Sequence, residues 1–288
     1  MFDLYVNAKN TLTSLSSALR ITISNANNYN TPGFKYIFTS FTTNYTEPIS
    51  SGTKSLNPIQ TGSGMVLGST STDYAQGSLT VGTQMDVAIT GEGFLTFTAS
   101  AAEASAAGPK VYSRSGRLQV DLANKFMIDS FGRRVFGYKL DDNGQVINKQ
   151  LVPMETGGQT DIGFVDGGVL ISNYTEVKAN PNAKRKPMYQ LALTTFQNKQ
   201  GLVATDGGAY KSTAASGNEI AHNIPGGQIG DSSSTYGNIV GGSLESSNID
   251  VARVALDMNL LNRGFSATQG FIDNVTKVIQ GLLKIMGG

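Results

Sequence analysis

The alternation of apolar and polar positions divides the chain into a helix, a long β-rich middle and a second helix. Tyr5, Ala8, Leu12, Leu15 and Leu19 recur at spacings of 3, 4, 3 and 4, with Asn, Ser, Thr and Lys between them. A stripe this narrow is the pattern of a helix that meets another helix along one seam. It fades in the Asn-rich stretch 25–30, and Pro32-Gly33 stops it. The stripe at the other end of the chain is longer. Val254, Met258, Leu261, Phe265, Thr268, Ile272, Val275, Ile279, Leu282 and Met286 keep a spacing of 4 and 3 without a break, and Thr268 is the only polar member. Asp250 and Ser247 are candidate caps just before it. Gly264, Gly270 and Gly281 fall inside this helix at about 1 kcal/mol each relative to Ala, so packing rather than propensity must hold it. An amphipathic helix ordinarily packs on its own globular core. Here the seams are narrow and lie at opposite ends of the chain, which predicts that the two helices pair as a coiled coil with each other and with neighbouring copies.

The middle, about 60 to 240, has no sustained helical period. It carries short β-prone runs at 85–89, 94–98, 117–121, 134–140, 145–152, 169–173 and 189–196. Turn signals separate them, among them Gly91-Glu92-Gly93, Asp141-Asp142-Asn143-Gly144, Asp166-Gly167-Gly168 and Asp206-Gly207-Gly208. Short strands punctuated in this way predict an antiparallel barrel or sandwich. The fold class expected is therefore α+β. A first helix and its closing motif occupy 1–35, an extended connecting segment 36–62, a β-rich domain 63–240 and the second helix 241–288.

Composition narrows the function. The chain has no cysteine and one histidine, His222. That removes disulfides, thiolate metal sites and cysteine nucleophiles, and leaves little room for a histidine metal site or a Ser-His-Asp triad. No catalytic, cofactor-binding or metal-ligating constellation stands out, so neither an enzyme nor a cofactor is expected. Twenty-two Lys and Arg against 21 Asp and Glu leave a net charge of +1, without the basic excess of a nucleic-acid binder. No apolar run is long enough to enter a membrane as a spanning helix, and the N-terminus is not a standard secretory signal. Asp141-Asp142 reads as a hairpin turn, His222 as a loop residue, and Lys184-Arg185-Lys186 as a solvated loop between Pro181 and Pro187. The 13 Phe and 11 Tyr are scattered along the chain.

The segments flanking the helices carry a resemblance. Asn28, Asn30, Thr31, Pro32, Gly33, Phe34 and Lys35 resemble the motif that closes the N-terminal helix of bacterial flagellar rod and hook proteins. Gln76-Gly77-Ser78-Leu79, the run from Asp86 to Phe94, and Tyr112-Ser113-Arg114-Ser115-Gly116-Arg117-Leu118 resemble later blocks of that family. Gly242-Ser243-Leu244-Glu245-Ser246-Ser247-Asn248-Ile249-Asp250 resembles the motif that opens its C-terminal helix. The blocks follow the family's order; Ile23-Ser24, Asn27, Asn262, Gly264 and Phe265 depart from its usual residues.

The resemblance implies a structural subunit of the flagellar hook or basal-body rod, outside the cytoplasm. Its terminal helices would build an inner tube in a helical homo-oligomer, with the β domain outside. Its partners would be neighbouring axial proteins and the export apparatus, which passes the chain unfolded. The length leaves room for one β domain, and 36–62 resembles the connecting segment of distal rod and short hook proteins. A secreted β-rich adhesin or carbohydrate-binding protein, or a low-copy flagellar junction protein, remain the alternatives.

Overall fold

The computed structural model describes residues 2–44, 46–50, 57, 59–62, 64–99, 108–225 and 236–287. They form three α-helices, α1 (Phe2–Asn27), α2 (Tyr174–Ala179) and α3 (Val251–Met286), with short strands between α1 and α3. The chain divides into two compact units: a helical unit of residues 1–29, 36–73 and 249–288, and a β unit of residues 30–35 and 74–248.

In the helical unit α1 packs on α3. Leu15, Ala18 and Leu261 are the buried centre of the contact, with Leu19, Phe265, Phe41, Met65 and Leu67 around them. The last three come from an antiparallel pair of strands, Ile37–Thr43 with Met65–Thr72. Farther along the same hairpin, Thr46–Ser50 pairs with Ile59–Gly62. The described residues of the segment expected as a connector thus include paired strands, and Phe41 near its start contributes to the core beneath the helices. α1 is rich in Ser and Thr, which usually weaken a helix. Their hydroxyls are absorbed by the helix itself: Ser14 donates to the Asn10 carbonyl at 2.9 Å and the buried Thr22 to that of Ala18 at 3.1 Å. Thr268, the polar member of the long stripe, does the same with Gly264 at 2.9 Å.

The β unit holds two larger antiparallel sheets. The six-stranded sheet runs in the order Val203–Thr205, Ala209–Lys211, Lys110–Ser113, Phe94–Thr98, Leu193–Phe196, Glu219–Asn223. The five-stranded sheet runs Val152–Pro153, Phe136–Lys139, Pro187–Leu191, Val169–Ile171, Gly163–Val165. Two-stranded ladders complete it, including Leu79–Val81 with Ser243–Glu245 and Val87–Thr90 with Asn238–Gly241. Among the described residues both larger sheets are open, so of the expected barrel or sandwich a closed barrel is not formed. The run predicted as one strand over 189–196 is two. Pro187–Leu191 lies in one sheet and Leu193–Phe196 in the other, and the chain passes between them at the fully buried Ala192. The run 145–152 is strand only at its end. Its residues 147–150 are exposed, so no buried face rewards pairing there. His222 has its backbone in the edge strand Glu219–Asn223, opposite Thr194, rather than in a loop.

The main core gathers both sheets around Leu95, Phe97, Phe164, Leu191, Leu193 and Ile239. A second cluster joins Phe94, Tyr112, Phe196 and Tyr210, with Tyr74 packed against it. Its rings meet edge to face, at 4.7 Å between Tyr112 and Phe196 and 5.8 Å between Phe94 and Tyr210. The aromatic residues scattered along the chain are therefore partly collected, but inside the β unit.

Candidate assembly site

Two places collect the residues singled out from the sequence. The first is the inward face of the terminal helices. Ala8 and Leu15 on α1 are buried, and Tyr5, Leu12 and Leu19 are half-buried. On α3, Val254, Leu261 and Val275 are buried, while Met258, Phe265, Ile272 and Ile279 are half-buried and Leu282 is exposed. Asp250 caps α3, its carboxylate accepting from the Ala252 and Arg253 amides at 2.9 and 3.5 Å. The first turns of α3 are tied to the strand that begins after the motif. Tyr36 donates its hydroxyl to Asp257 at 2.7 Å, and the Arg253 guanidinium lies over the Phe38 and Tyr36 rings at 4.6 and 5.3 Å. Burial and then the Asp257 carboxylate push the Tyr36 phenol up to about 12. At the end of α1 the buried Asn25 uses its amide like a backbone unit, donating to the Ile37 carbonyl at 2.8 Å and accepting from the Ile37 N–H at 3.1 Å.

α3 also carries a second apolar stripe that the single chain leaves open. Leu256, Leu260, Phe271 and Val278 are all exposed. Their spacings of 4, 11 and 7 keep them on one side of a helix, away from Val254 and Leu261.

The second place lies within the β unit, where the two family-like motifs meet. Thr31-Pro32-Gly33-Phe34 is a tight turn closed by a Phe34 N–H to Thr31 carbonyl bond at 3.2 Å. Pro32 supplies the fixed φ and Gly33 the positive one, 73°. A Cβ on Gly33 would also stand 2.5 Å from the Arg114 carbonyl carbon and the Ser115 nitrogen. The Gly33 N–H donates to the Glu245 carbonyl at 2.8 Å. The turn delivers Lys35 into the interior with no side-chain exposure, and its ammonium meets the equally buried Glu245 carboxylate at 2.6 Å. Arg114, 4% exposed, donates Nε to the other Glu245 oxygen at 3.0 Å. The Gly77 N–H supplies a third donor at 3.0 Å.

Further donors of the two cations are matched as well. Lys35 also donates to the Ala75 carbonyl at 2.7 Å, which receives the Asn248 amide at 3.1 Å. The Arg114 guanidinium donates to the carbonyls of Gly91 at 2.9 Å, Gly93 at 3.1 Å and Ile89 at 3.3 Å. A buried pair of cations on one carboxylate is tolerable only with this density of partners. The cluster thus brings together Gly33, Lys35, Glu245 and Asn248 from the motifs. Asn28 instead bonds back to the Ser24 carbonyl at 2.9 Å, Asn30 is exposed, and Phe34 is half-buried. Arg114 and Gly77 sit in the blocks quoted from the sequence, but nothing in a linear pattern marks them as the partners of Glu245.

The chain pairs its two terminal helices and closes the motifs beside them on one buried carboxylate. Over 271 residues, 90% of each chain, it is 28% identical to the flagellar basal-body rod protein FlgG of Borreliella burgdorferi. It is 26% identical over 270 residues to the FlgG of Bacillus subtilis, covering 91% of this chain and 90% of that one. To the flagellar hook protein FlgE of Helicobacter pylori it is 27% identical over 149 residues, 51% of this chain and 18% of the hook protein. No protein-family model matches the chain. The chain is a homologue of the flagellar rod and hook proteins. No helix among the described residues is long and apolar enough to cross a membrane.

Proposed function

We propose that this chain is a structural subunit of the flagellar basal-body rod, polymerising into a helical tube that carries motor torque and walls the export channel. The rod is favoured over the hook because the similarity to rod proteins runs end to end, whereas the match to the hook protein covers half of this chain. The observation that carries polymerisation is the uncovered stripe of α3. One face of the helix is used on α1, and Leu256, Leu260, Phe271 and Val278 remain for the helices of adjacent copies. Identical subunits supply such a partner by heterologous contacts, which extend rather than close when repeated by a screw. In that array the seams of α1 and α3 run as a coiled coil in the inner tube. The chain reaches the site through the flagellar export apparatus and is flanked there by other axial proteins.

Leu260→Asp tests this directly. Leu260 is 57% exposed in the single chain, so the variant keeps the circular dichroism and melting of the wild type as a monomer. At high concentration the wild type forms tubes visible by electron microscopy and the variant does not, while Asn259→Asp on the same turn still assembles. Tubes formed equally by Leu260→Asp, or none by the wild type, would reject the reading.

A further inference from the structure

Within the β unit, the strand pair Leu118–Val120 with Met127–Asp129 ends in two features of opposite form. The loop 121–126 at one end is a knob, with Leu122 90% exposed at its tip. A lone exposed leucine is ordinary, but this one is held out on a fixed backbone. The Asp121 carboxylate accepts from the Ala123 N–H at 2.9 Å and the Asn124 side-chain amide at 2.6 Å, and the Lys125 N–H closes on the Asp121 carbonyl at 2.6 Å. Lys125 is the only non-glycine residue with a positive φ among the described residues, 61°, and its carbonyl accepts from the Thr156 N–H and hydroxyl at 2.7 and 2.9 Å. At the other end of the same strand pair, Pro32, Ser115, Arg117, Ser130, Phe131 and Gly207 line a cavity of about 240 Å³. That is more than the roughly 150 Å³ that admits a benzene ring. Phe131 is 56% exposed, yet its ring is pinned. It packs on Gly207, where a Cβ would collide with it, and lies 5.1 Å from the guanidinium of Arg133, whose Nε donates to Asp129 at 2.7 Å. Arg117 is exposed at the rim and in no ion pair with a described residue.

We propose that the Leu122 knob of one copy seats in the Phe131 pocket of a second copy, a head-to-tail contact between β units. It rests on the reading of the chain as a polymerising subunit and adds a second contact to the one made by α3. Charge matches the two surfaces: Asp121 flanks the knob and Arg117 the pocket. The Asn124 side-chain amide and then the Ala123 N–H hold the Asp121 carboxyl below the usual carboxylate range, so it is charged at neutral pH. A rigid apolar anchor, a pocket formed beforehand and a polar rim are the parts of an interface hot spot. Both surfaces are set before contact, which spares the cost of ordering them. Because knob and pocket lie at opposite ends of one strand pair, the contact uses two different patches, and its repetition extends an array instead of closing a pair.

The chain has no cysteine, so introduced thiols report the contact without background. In the full chain, Ala123→Cys marks the knob and Ser130→Cys the pocket; both positions are exposed, and both variants keep Leu122 and Arg117. Mixed, assembled into tubes and oxidised, the two variants give a disulfide-linked dimer, and each alone gives less than about a tenth of that yield, as a contact between unlike patches requires. In the cysteine-free chain, Leu122→Asp leaves the melting of the monomer unchanged and slows tube growth at least about ten-fold, the loss of one buried leucine. Arg117→Glu slows it in the same direction. Tubes without cross-links in the mixture, or equal cross-linking by Ala123→Cys alone, overturn this contact and leave polymerisation standing. If either cysteine blocks assembly, tube growth of Leu122→Asp decides, and growth at the wild-type rate overturns the contact. A wild type that forms no tubes overturns the polymerising reading and this contact together.

Discussion

Glu245 is buried and holds three donors, and its removal strands two cations. Breaking a buried ion pair on one side costs about 3–5 kcal/mol, so Glu245→Gln destabilises the β unit by that amount, read as a lower urea midpoint at unchanged slope. Lys35→Met is milder, because Arg114 and the Gly77 N–H still satisfy the carboxylate. Equal losses for the two variants would contradict this ordering. Gly33→Ala is expected to be damaging for a different reason. It combines a left-handed backbone, at about 1–3 kcal/mol, with contact against the Arg114–Ser115 backbone. Tyr36 gives a pH signature. Its folded value of about 12 lies above the ordinary 10, so its contribution is complete below pH 10 and is lost as pH rises from 10 towards 12. Tyr36→Phe flattens the alkaline fall in the stability of the helical unit over that window, measured by helix melting.

At the scale of elements, α3 has glycines that no contact within the chain requires. A Cβ at Gly270 or Gly281 meets nothing within 4 Å. Gly270→Ala and Gly281→Ala therefore each stabilise the helix of the monomer by about 1 kcal/mol, read as higher helicity and a higher melting temperature. If the same variants assemble poorly, those positions face a neighbouring copy at close range. Leu261→Asp acts on the inner face. It removes a side chain packed on Leu15 and Ala18 and places a carboxylate there, which costs several kcal/mol. Helical signal and assembly are lost together, while the near-ultraviolet signal of the β unit persists. Loss of both signals would show that the β unit cannot hold without the helices.

For the whole molecule, the division into units predicts what survives cutting. A chain trimmed to residues 30–248 keeps the turn of Gly33, the Lys35–Glu245–Arg114 cluster and both larger sheets. It unfolds in one cooperative transition. A chain trimmed to 36–244 loses Lys35 and Glu245 and leaves Arg114 buried without its carboxylate, so it melts lower and yields to protease sooner. Indistinguishable melting of the two would remove the cluster from any role in closing the unit.

The sequence by itself determined the elements with a long or regular period. The helices α1 and α3, the cap at Asp250 and the strand 94–98 were legible because helical and strand repeats are local and need no partner to be recognised. The Pro32-Gly33 turn was legible for the same reason, since its φ angles belong to those residue types. Tertiary structure alone decided what depended on distance along the chain. It split 189–196 between two sheets at Ala192, where residues buried on both faces show no alternation to mark the break. It kept the sheets open, and it collected Phe94, Tyr112, Phe196 and Tyr210 into one cluster. It also joined Lys35 to Glu245 across 210 residues. A charge in a sequence does not say whether it is solvated or paired; that is settled only when folding removes water and leaves one carboxylate to answer two cations.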